Sequence, residues 1–268
     1  MENREIKEEK LLSSVQNALK ILRSFSLEEP EKGIRELAKT LDLGKSTVHR
    51  LISTLAKEGF VVKDQDTQKY RLGVSLLSLS TIVTSHLDIH REAPPFLKIL
   101  VNNMRETAHI GVLDGPGVIY LHKVETNHPI RIFTHIGKYN PAHCTGTGKA
   151  ILAFKDVDFI DNFIIEHGLK KFTDHTITDP HAFKTHLQLV KDRGYAVNNE
   201  EFGEGILSIA APIRDFSGSV IAAVNIVGPK ARLNEGKIPF FSKELIRVAN
   251  EISENLGYFK QPNKLKKV

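Results

Sequence analysis

Residues 33–72 carry polar side chains at a spacing suited to nucleic-acid recognition. Between Gly44 and Gly59, apolar residues recur every three or four positions, which predicts an amphipathic helix. The opposite face of this helix holds hydroxyl, imidazole and cationic groups without a carboxylate, at Lys45, Ser46, Thr47, His49, Arg50, Ser53 and Thr54. Such groups donate hydrogen bonds to phosphates and base edges. The face therefore predicts contact with DNA, and the alternative is a solvated face on a small helical module.

The flanking pattern puts this helix into a helix-turn-helix. A shorter amphipathic helix precedes it, with apolar residues at Ile34, Leu37, Ala38 and Leu41. Gly44 is expected to end that shorter helix in the left-handed conformation. After Gly59, strand-like runs within residues 60–72 flank a polar turn, which predicts a β-hairpin. Two helices and a hairpin in this order predict a winged helix-turn-helix, and the hairpin adds two candidate DNA contacts, Lys69 and Arg71.

A second group of candidate residues lies in the stretch HCTGTGK at residues 143–149, at the end of a glycine-rich loop predicted at residues 137–148. The loop leads into an apolar run typical of a helix, and the free N–H groups at a helix start favour anions. Gly146 has no side chain, so a ligand could approach the backbone there. The loop is not a phosphate-binding P-loop, because Ala150 stands where Ser or Thr would bind magnesium. It predicts either an anion site or a glycine-rich turn without a ligand.

Three single polar residues interrupt strand-like apolar runs farther along the chain, at Asn198, Ser208 and Asn225. A polar side chain in a buried strand needs a hydrogen-bond partner. Each could bond to a neighbouring backbone group, or all three could converge with the helix that begins near Thr147. An apolar pocket with a few placed polar groups is the usual form of a small-molecule site.

Other reactive side chains give weaker signals. His143 and Cys144 could form a base and a nucleophile, but neighbours in sequence rarely face each other and no orienting group is identifiable. We therefore expect Cys144 to be buried or to line a ligand site. The twelve histidines fit no metal-binding motif, so neither a metal nor a cofactor is predicted. Glu200 and Glu201 are expected in a solvated loop rather than in an acid–base pair.

Composition limits the class of protein. A chain of 268 residues is long enough for two domains, and its net charge of +5 permits a nucleic-acid partner without requiring one. Residues 33–72 hold eight Lys or Arg against five Asp or Glu. The single cysteine fits a reducing, cytoplasmic location. Neither a signal peptide nor an apolar run near the ~20 residues of a membrane span is present, so no membrane partner is expected.

The remaining pattern predicts the elements that position these residues. A first helix within residues 13–25 completes a three-helix core, and residues 73–91 predict a single linker helix that either packs in the core or forms a dimer contact. From residue 109 the period changes to that of strands, one of them predicted at residues 130–136. A last helix is predicted at residues 243–256. The order of strands, helices, strands and helix predicts an α+β fold with an antiparallel-rich sheet.

These motifs, in this order and spacing, resemble the IclR family of bacterial transcriptional regulators over residues 13–256. The landmarks are SVQNALKIL at 14–22, IRELAKTLDLGKSTVHRLISTL at 34–55, YRLG at 70–73, GKYNPAHCTGTGKAIL at 137–152, GYAVNNEEFGEGILSIAAPIRD at 194–215 and IAAVNIVGP at 221–229. The resemblance implies a winged helix-turn-helix at 13–73, a linker helix at 74–92 and a GAF-like effector-binding domain at 93–258. It also implies homodimers, or tetramers of paired dimers, on double-stranded operator DNA.

The resemblance further implies which residues contact a small-molecule effector: Gly146, Thr147, Asn198, Ser208 and Asn225, with His143 and Cys144 in the same loop. Relatives commonly have an acid at the position of Asn198. Its amide can both donate and accept, so it need not repel an anionic ligand. We expect an organic acid as effector and a regulator that leaves it chemically unchanged. The alternative is an enzyme that uses the Cys144 loop and consumes the ligand.

Overall fold

The computed structural model describes residues 12–126, 128, 136–137 and 139–259. The chain divides into two compact units between His86 and Leu87. Apart from Ile136, the strand predicted at residues 130–136 lies outside the described residues. Within the described ranges, no helix has the length and apolar character needed to cross a membrane.

The first unit is a winged helix-turn-helix followed by one further helix. Its elements are α1 (Ser13–Arg23), α2 (Ile34–Leu41), α3 (Lys45–Lys57), β1 (Val61–Lys63), β2 (Tyr70–Leu72) and α4 (Ser75–Ser85). The three predicted helices bury one apolar core, formed by Ile21, Leu37, Ala38, Val48, Ile52, Val61 and Tyr70. β1 and β2 pair in antiparallel fashion, and Lys32 adds a bridge to Tyr70. The predicted architecture of this unit is therefore present.

The turn between α2 and α3 differs from the prediction. Asp42, not Gly44, takes the left-handed conformation that ends α2, with φ 52° and ψ 50°. Gly44 instead has an extended ψ of 139° at the start of α3. Asp tolerates the left-handed region because its short polar side chain can bond locally. Gly59 ends α3 as predicted, with φ +76°, and a Cβ there would lie 2.6 Å from Ser75 Oγ.

The prediction of a single helix from residue 73 to residue 91 is wrong. α4 ends at Ser85, Leu87 is extended with φ −101° and ψ 96°, and α5 (Asp88–Glu92) follows. Leu87 and Ile89 pack into the core of the second unit. This anchoring breaks the helix, and the continuous apolar pattern of the segment gave no sign of it. α4 itself has no charged residue and no buried residue within its unit.

The second unit is built on a six-stranded antiparallel sheet with the order β5-β4-β3-β8-β7-β6. The strands are β3 (Thr107–Asp114), β4 (Gly117–Val124), β5 (Tyr139–Pro141), β6 (Ala196–Asn199), β7 (Ile206–Arg214) and β8 (Val220–Pro229). The helices after α5 are α6 (Pro94–Met104), α7 (Gly146–Leu152), α8 (Val157–His167), α9 (Pro180–Arg193) and α10 (Ile238–Asn255). β5 lies inside the glycine-rich loop predicted at residues 137–148, and α10 begins at Ile238 instead of the predicted residue 243. The predicted start of the loop and the predicted start of the last helix were therefore wrong.

The sheet separates two apolar layers. One face packs against α6 and α10, through residues such as Leu100 and Leu245. The other face packs against α7, α8 and α9, through residues such as Ile151 and Phe183. This layered α+β arrangement places α7, with the glycine-rich loop at its start, directly on the sheet.

Candidate DNA interface and effector site

The recognition face of α3 is open to solvent. Lys45, Ser46, Thr47, His49, Arg50 and Thr54 are all exposed, whereas Val48 and Ile52 on the other side are fully buried. Thr54 Oγ1 donates to the Arg50 carbonyl at 3.0 Å, so this hydroxyl proton is already used within the helix. The face carries no carboxylate, which leaves donors and one guanidinium for contact with a groove of DNA.

The two cations of the wing differ in their surroundings. Arg71 is exposed. Lys69 Nζ lies 3.9 Å from Glu36 Oε1, while Glu36 Oε2 accepts a hydrogen bond of 2.7 Å from the Gly33 N–H at the start of α2. The Glu36 contact, which joins residues 33 positions apart, could not be read from local pattern. It gives Lys69 a carboxylate partner within the first unit.

Four neighbouring strands present buried polar side chains toward α7. Asn198 and Ser208 are register partners on β6 and β7, and Asn225 on β8 pairs with His109 on β3. Their chain neighbours, such as Ile209, pack on the opposite face of the sheet. The alternation of strands thus brings the three predicted polar residues onto one face, and α7 packs across the same strands.

Glycines let α7 approach this polar face closely. A Cβ at Gly146 would lie 2.9 Å from Ser208 Oγ, and one at Gly111 would lie 2.8 Å from Thr147 Cγ2. Thr145 caps the helix, since its Oγ1 accepts from the Gly148 N–H at 3.2 Å. One of the amides at the helix start is therefore already satisfied. Thr147 Oγ1 is buried and makes no hydrogen bond within the described residues.

His109 and Tyr120 complete the polar face, and sequence reasoning missed both. Their rings stack at 4.4 Å, and His109 Nδ1 lies 3.1 Å from Asn225 Oδ1. Burial lowers the pKa of His109 to about 3, so the ring is neutral and donates its Nδ1 proton to the amide oxygen. Burial raises the pKa of Tyr120, against the opposing effect of the neighbouring Thr147, Asn225 and Asn140 side chains. The Tyr120 hydroxyl thus stays protonated.

His143 and Cys144 do not form a nucleophile and base. Cys144 is fully buried, and burial together with the charge of Glu201 raises the pKa of its thiol to about 12. The thiol is therefore protonated at neutral pH and is a poor nucleophile. His143 Nε2 lies 2.9 Å from the Lys170 carbonyl and donates to it, while burial lowers the pKa of the ring.

A buried ion pair lies behind the loop. Lys149 is fully buried, contacts Glu201 Oε1 and donates to the Val197 carbonyl at 2.7 Å. Burial lowers the pKa of Lys149 and raises that of Glu201, and the contact between the two opposes both shifts. The expectation that Glu201 is solvated was wrong. The Glu201 N–H also donates to Asn198 Oδ1 at 2.8 Å. The amide oxygen of Asn198 is therefore occupied, and its amide nitrogen is the group that can donate to a further partner.

Glu200, the neighbour of Glu201, differs from it. Its side chain contacts Lys230 and accepts from the Gly205 N–H at 2.8 Å. Across the described residues, no three His, Cys, Asp or Glu side chains form a group that could hold a metal ion. The second unit therefore offers a polar face of uncharged hydrogen-bond donors. Beside it, the charges of Lys149 and Glu201 neutralise each other.

Comparisons with known proteins cover both units. A family model described as "IclR helix-turn-helix domain" matches residues 14–65, and one described as "Bacterial transcriptional regulator IclR C-terminal" matches residues 81–254. The regulator KdgR of Escherichia coli K12 is 34% identical over 251 residues, which cover 94% of this chain and 95% of the relative. The glycerol operon regulatory protein of Streptomyces coelicolor is 35% identical over 251 residues, covering 92% and 97%.

Solved structures have the same fold. The Thermotoga maritima IclR structure superposes with a TM-score of 0.70 at 30% identity, covering 92% of this chain and 99% of that one. An IclR-type regulator from Silicibacter sp. TM1040 gives a TM-score of 0.80 at 26% identity, covering 93% and 98%. Both similarities extend over the two units.

Proposed function

The chain belongs to the IclR family of bacterial transcriptional regulators, and from this premise we propose how its residues bind DNA and an effector. The protein is a DNA-binding transcription regulator with an N-terminal helix-turn-helix and a C-terminal effector domain. The observation that carries the DNA proposal is the exposed, acid-free face of α3. Arg50 and His49 read base edges in the major groove, while Lys45, Ser46 and Thr47 near the start of α3 contact phosphates.

The proposed operator complex contains two copies of the chain or a pair of such dimers. α4 supports this assembly, because it exposes apolar side chains without any charge: Leu77 is 67% exposed, Ile82 57% and Val83 61%. Such a surface is rarely left in water by a monomer. Two-fold pairing would also give two recognition helices, as a palindromic operator requires.

The proposed effector is a small organic acid bound beside the start of α7, where this helix meets the polar face of the sheet. Neutral donors there include the hydroxyls of Ser208, Tyr120 and Thr147 and the amide nitrogen of Asn198. No ionised acid on this face would repel a carboxylate, because Glu201 is paired with Lys149.

His143 and Cys144 lie in the loop before α7 and shape the site without reacting. The protonated Cys144 thiol supports a regulator that leaves its effector unchanged rather than an enzyme. A DNA partner supports a cytoplasmic location.

The test begins with an operator selected in vitro from random duplexes with the full-length protein. Fluorescence anisotropy at fixed salt then measures operator affinity with and without small carboxylates. We expect Arg50→Ala to weaken specific binding by ~1–3 kcal/mol. Lys184→Ala removes one cation from the second unit and serves as the matched control. Equal affinity of both variants would contradict the proposed orientation of α3.

Light scattering tests the assembly, and Ile82→Lys should shift the protein toward monomer.

A carboxylate that changes operator affinity should be recovered intact by mass spectrometry. Its conversion to a product would favour the enzyme alternative. Loss of the carboxylate response in Ser208→Ala, with operator affinity kept, would support the effector site, whereas an unchanged response would place it elsewhere.

A further inference from the structure

A cleft of about 230 Å³ lies in the second unit, apart from the proposed effector site. β6 pairs with β7 only from Leu207 to Ala210, so the next residues of β7, up to Arg214, have no partner strand on that side among the described residues. The cleft opens at this sheet edge between α9 and α10. The side chains that give it its chemistry are Phe154, Lys191, Arg214, Ile246, Asn250 and Tyr258. None of the predicted effector residues lines it.

The cleft carries positive charge that no carboxylate of the described residues neutralises. Arg214 is half-buried and Lys191 is exposed, and neither forms an ion pair with a described residue. No Asp or Glu lines the cleft. The acid that follows each cation in sequence bonds elsewhere: Asp215 accepts from the Ser217 and Ser219 N–H groups within its own turn, and Asp192 accepts from Gln188 Nε2. A partly buried cation normally has an anionic partner, because removing it from water is otherwise unfavourable.

The guanidinium of Arg214 is held in place by neighbours that leave its charge intact. It lies 4.6 Å from the centre of the Phe154 ring and 5.8 Å from that of Tyr258. One of its nitrogens, Nη1, donates to the Gly218 carbonyl at 2.7 Å. A guanidinium fixed in this way offers its remaining N–H groups as a planar fork, the geometry that suits a carboxylate.

The walls of the cleft indicate the rest of the ligand. The Phe154 and Tyr258 rings and the Ile246 side chain give apolar surface next to the two cations, and Asn250 adds an amide at the rim. The volume is below the usual range of pockets for drug-sized ligands, which begins at about 300 Å³. It is suited to a compact molecule with a flat apolar body and one acidic group.

We propose that this cleft is a second ligand site, which binds a small aromatic carboxylate through Arg214 and Lys191. The carboxylate provides the missing counter-charge, and the ring lies between the apolar walls. Because the cleft joins α9, β7 and α10, a bound ligand links three elements that the effector site does not connect. The proposal is independent of the effector site, since the two share no residue.

The test uses the full-length protein and benzoate as the probe. Titration in low salt, followed by ¹H–¹⁵N NMR, should shift the amide signals of Gly194 and Ala249, which line the cleft. Benzamide, which has the same shape without the charge, should cause no such shift. Lys191→Gln is an exposed change that leaves the fold intact and should weaken benzoate binding about tenfold. Lys184→Gln is the matched control, and Arg214→Lys should also weaken binding because it keeps the charge but loses the fork.

Three results would overturn the proposal. The first is the absence of any benzoate-induced shift at millimolar concentration. The second is a set of shifts confined to the strands that carry Ser208 and Asn225, which would assign benzoate to the effector site. The third is equal affinity in Lys191→Gln and Lys184→Gln. Failure of the effector proposal would leave the expected shifts at Gly194 and Ala249 unchanged, so the two outcomes are distinguishable.

Discussion

Replacing Lys149 with methionine should destabilise the second unit strongly. The ammonium is fully buried and bonds to both Glu201 Oε1 and the Val197 carbonyl. Without it, the buried Glu201 carboxylate loses the cation that contacts it, and its second oxygen already has no hydrogen-bond partner in the described structure. Breaking a buried ion pair from one side costs about 3–5 kcal/mol. Against a total stability of about 5–15 kcal/mol, that loss is large.

The loss should depend on pH in a defined direction. In Lys149→Met, burial raises the pKa of Glu201 above its ordinary value of 4.5, and only the smaller effects of the Asn199 backbone and the Arg193 charge oppose the shift. The folded variant then binds a proton that the unfolded chain has released, so its free energy of unfolding falls as the pH rises above 4.5. The deficit relative to the parent is therefore smaller in mildly acidic than in mildly alkaline buffer. Adding Glu201→Gln removes the isolated charge and should recover most of the stability.

Urea denaturation followed by circular dichroism, with the full-length protein in acidic and alkaline buffers, measures these differences. Lys184→Met serves as the control, because Lys184 is exposed and its partner Asp161 is also accessible to solvent. The reasoning is refuted if Lys149→Met is as stable as the parent. It is also refuted if the deficit is the same at both pH values, or if Glu201→Gln recovers nothing.

Three further changes test other parts of the structure. The pKa of His109 is lowered to about 3, so stability should decrease by up to roughly 4 kcal/mol as the pH falls from 6.5 toward that value; an NMR titration of the ring near pH 6 would contradict this. Glu36→Gln frees Lys69 while still accepting from Gly33, and should tighten operator binding about two- to fivefold by anisotropy, whereas unchanged affinity would mean that the ion pair does not compete with DNA. Gly146→Ala places a Cβ 2.9 Å from Ser208 Oγ and should cost about 1–3 kcal/mol in thermal denaturation. A Ser208→Ala background should relieve that cost, and an equal cost in both backgrounds would disprove the steric argument.

Local pattern was sufficient for some of these features. The α3 face followed from helical spacing, and the shared face of Asn198, Ser208 and Asn225 followed from single polar residues in strands of period two. Their role in effector binding stays a prediction. The contacts of His109 with Asn225 and of Lys149 with Glu201 span 116 and 52 residues, so they depend on strand register and on the placement of α7. The break at Leu87 likewise depends on packing in the second unit.

The Lys149–Glu201 pair also limits how this loop can change in evolution or in design. Replacing either residue alone leaves one buried charge, whereas replacing both with apolar residues of similar volume can be nearly neutral. Positions 149 and 201 should therefore vary together among related sequences. A loop transplanted from a relative to alter ligand preference would have to bring its own residue for position 201, or the chimaera would enclose an unmatched charge.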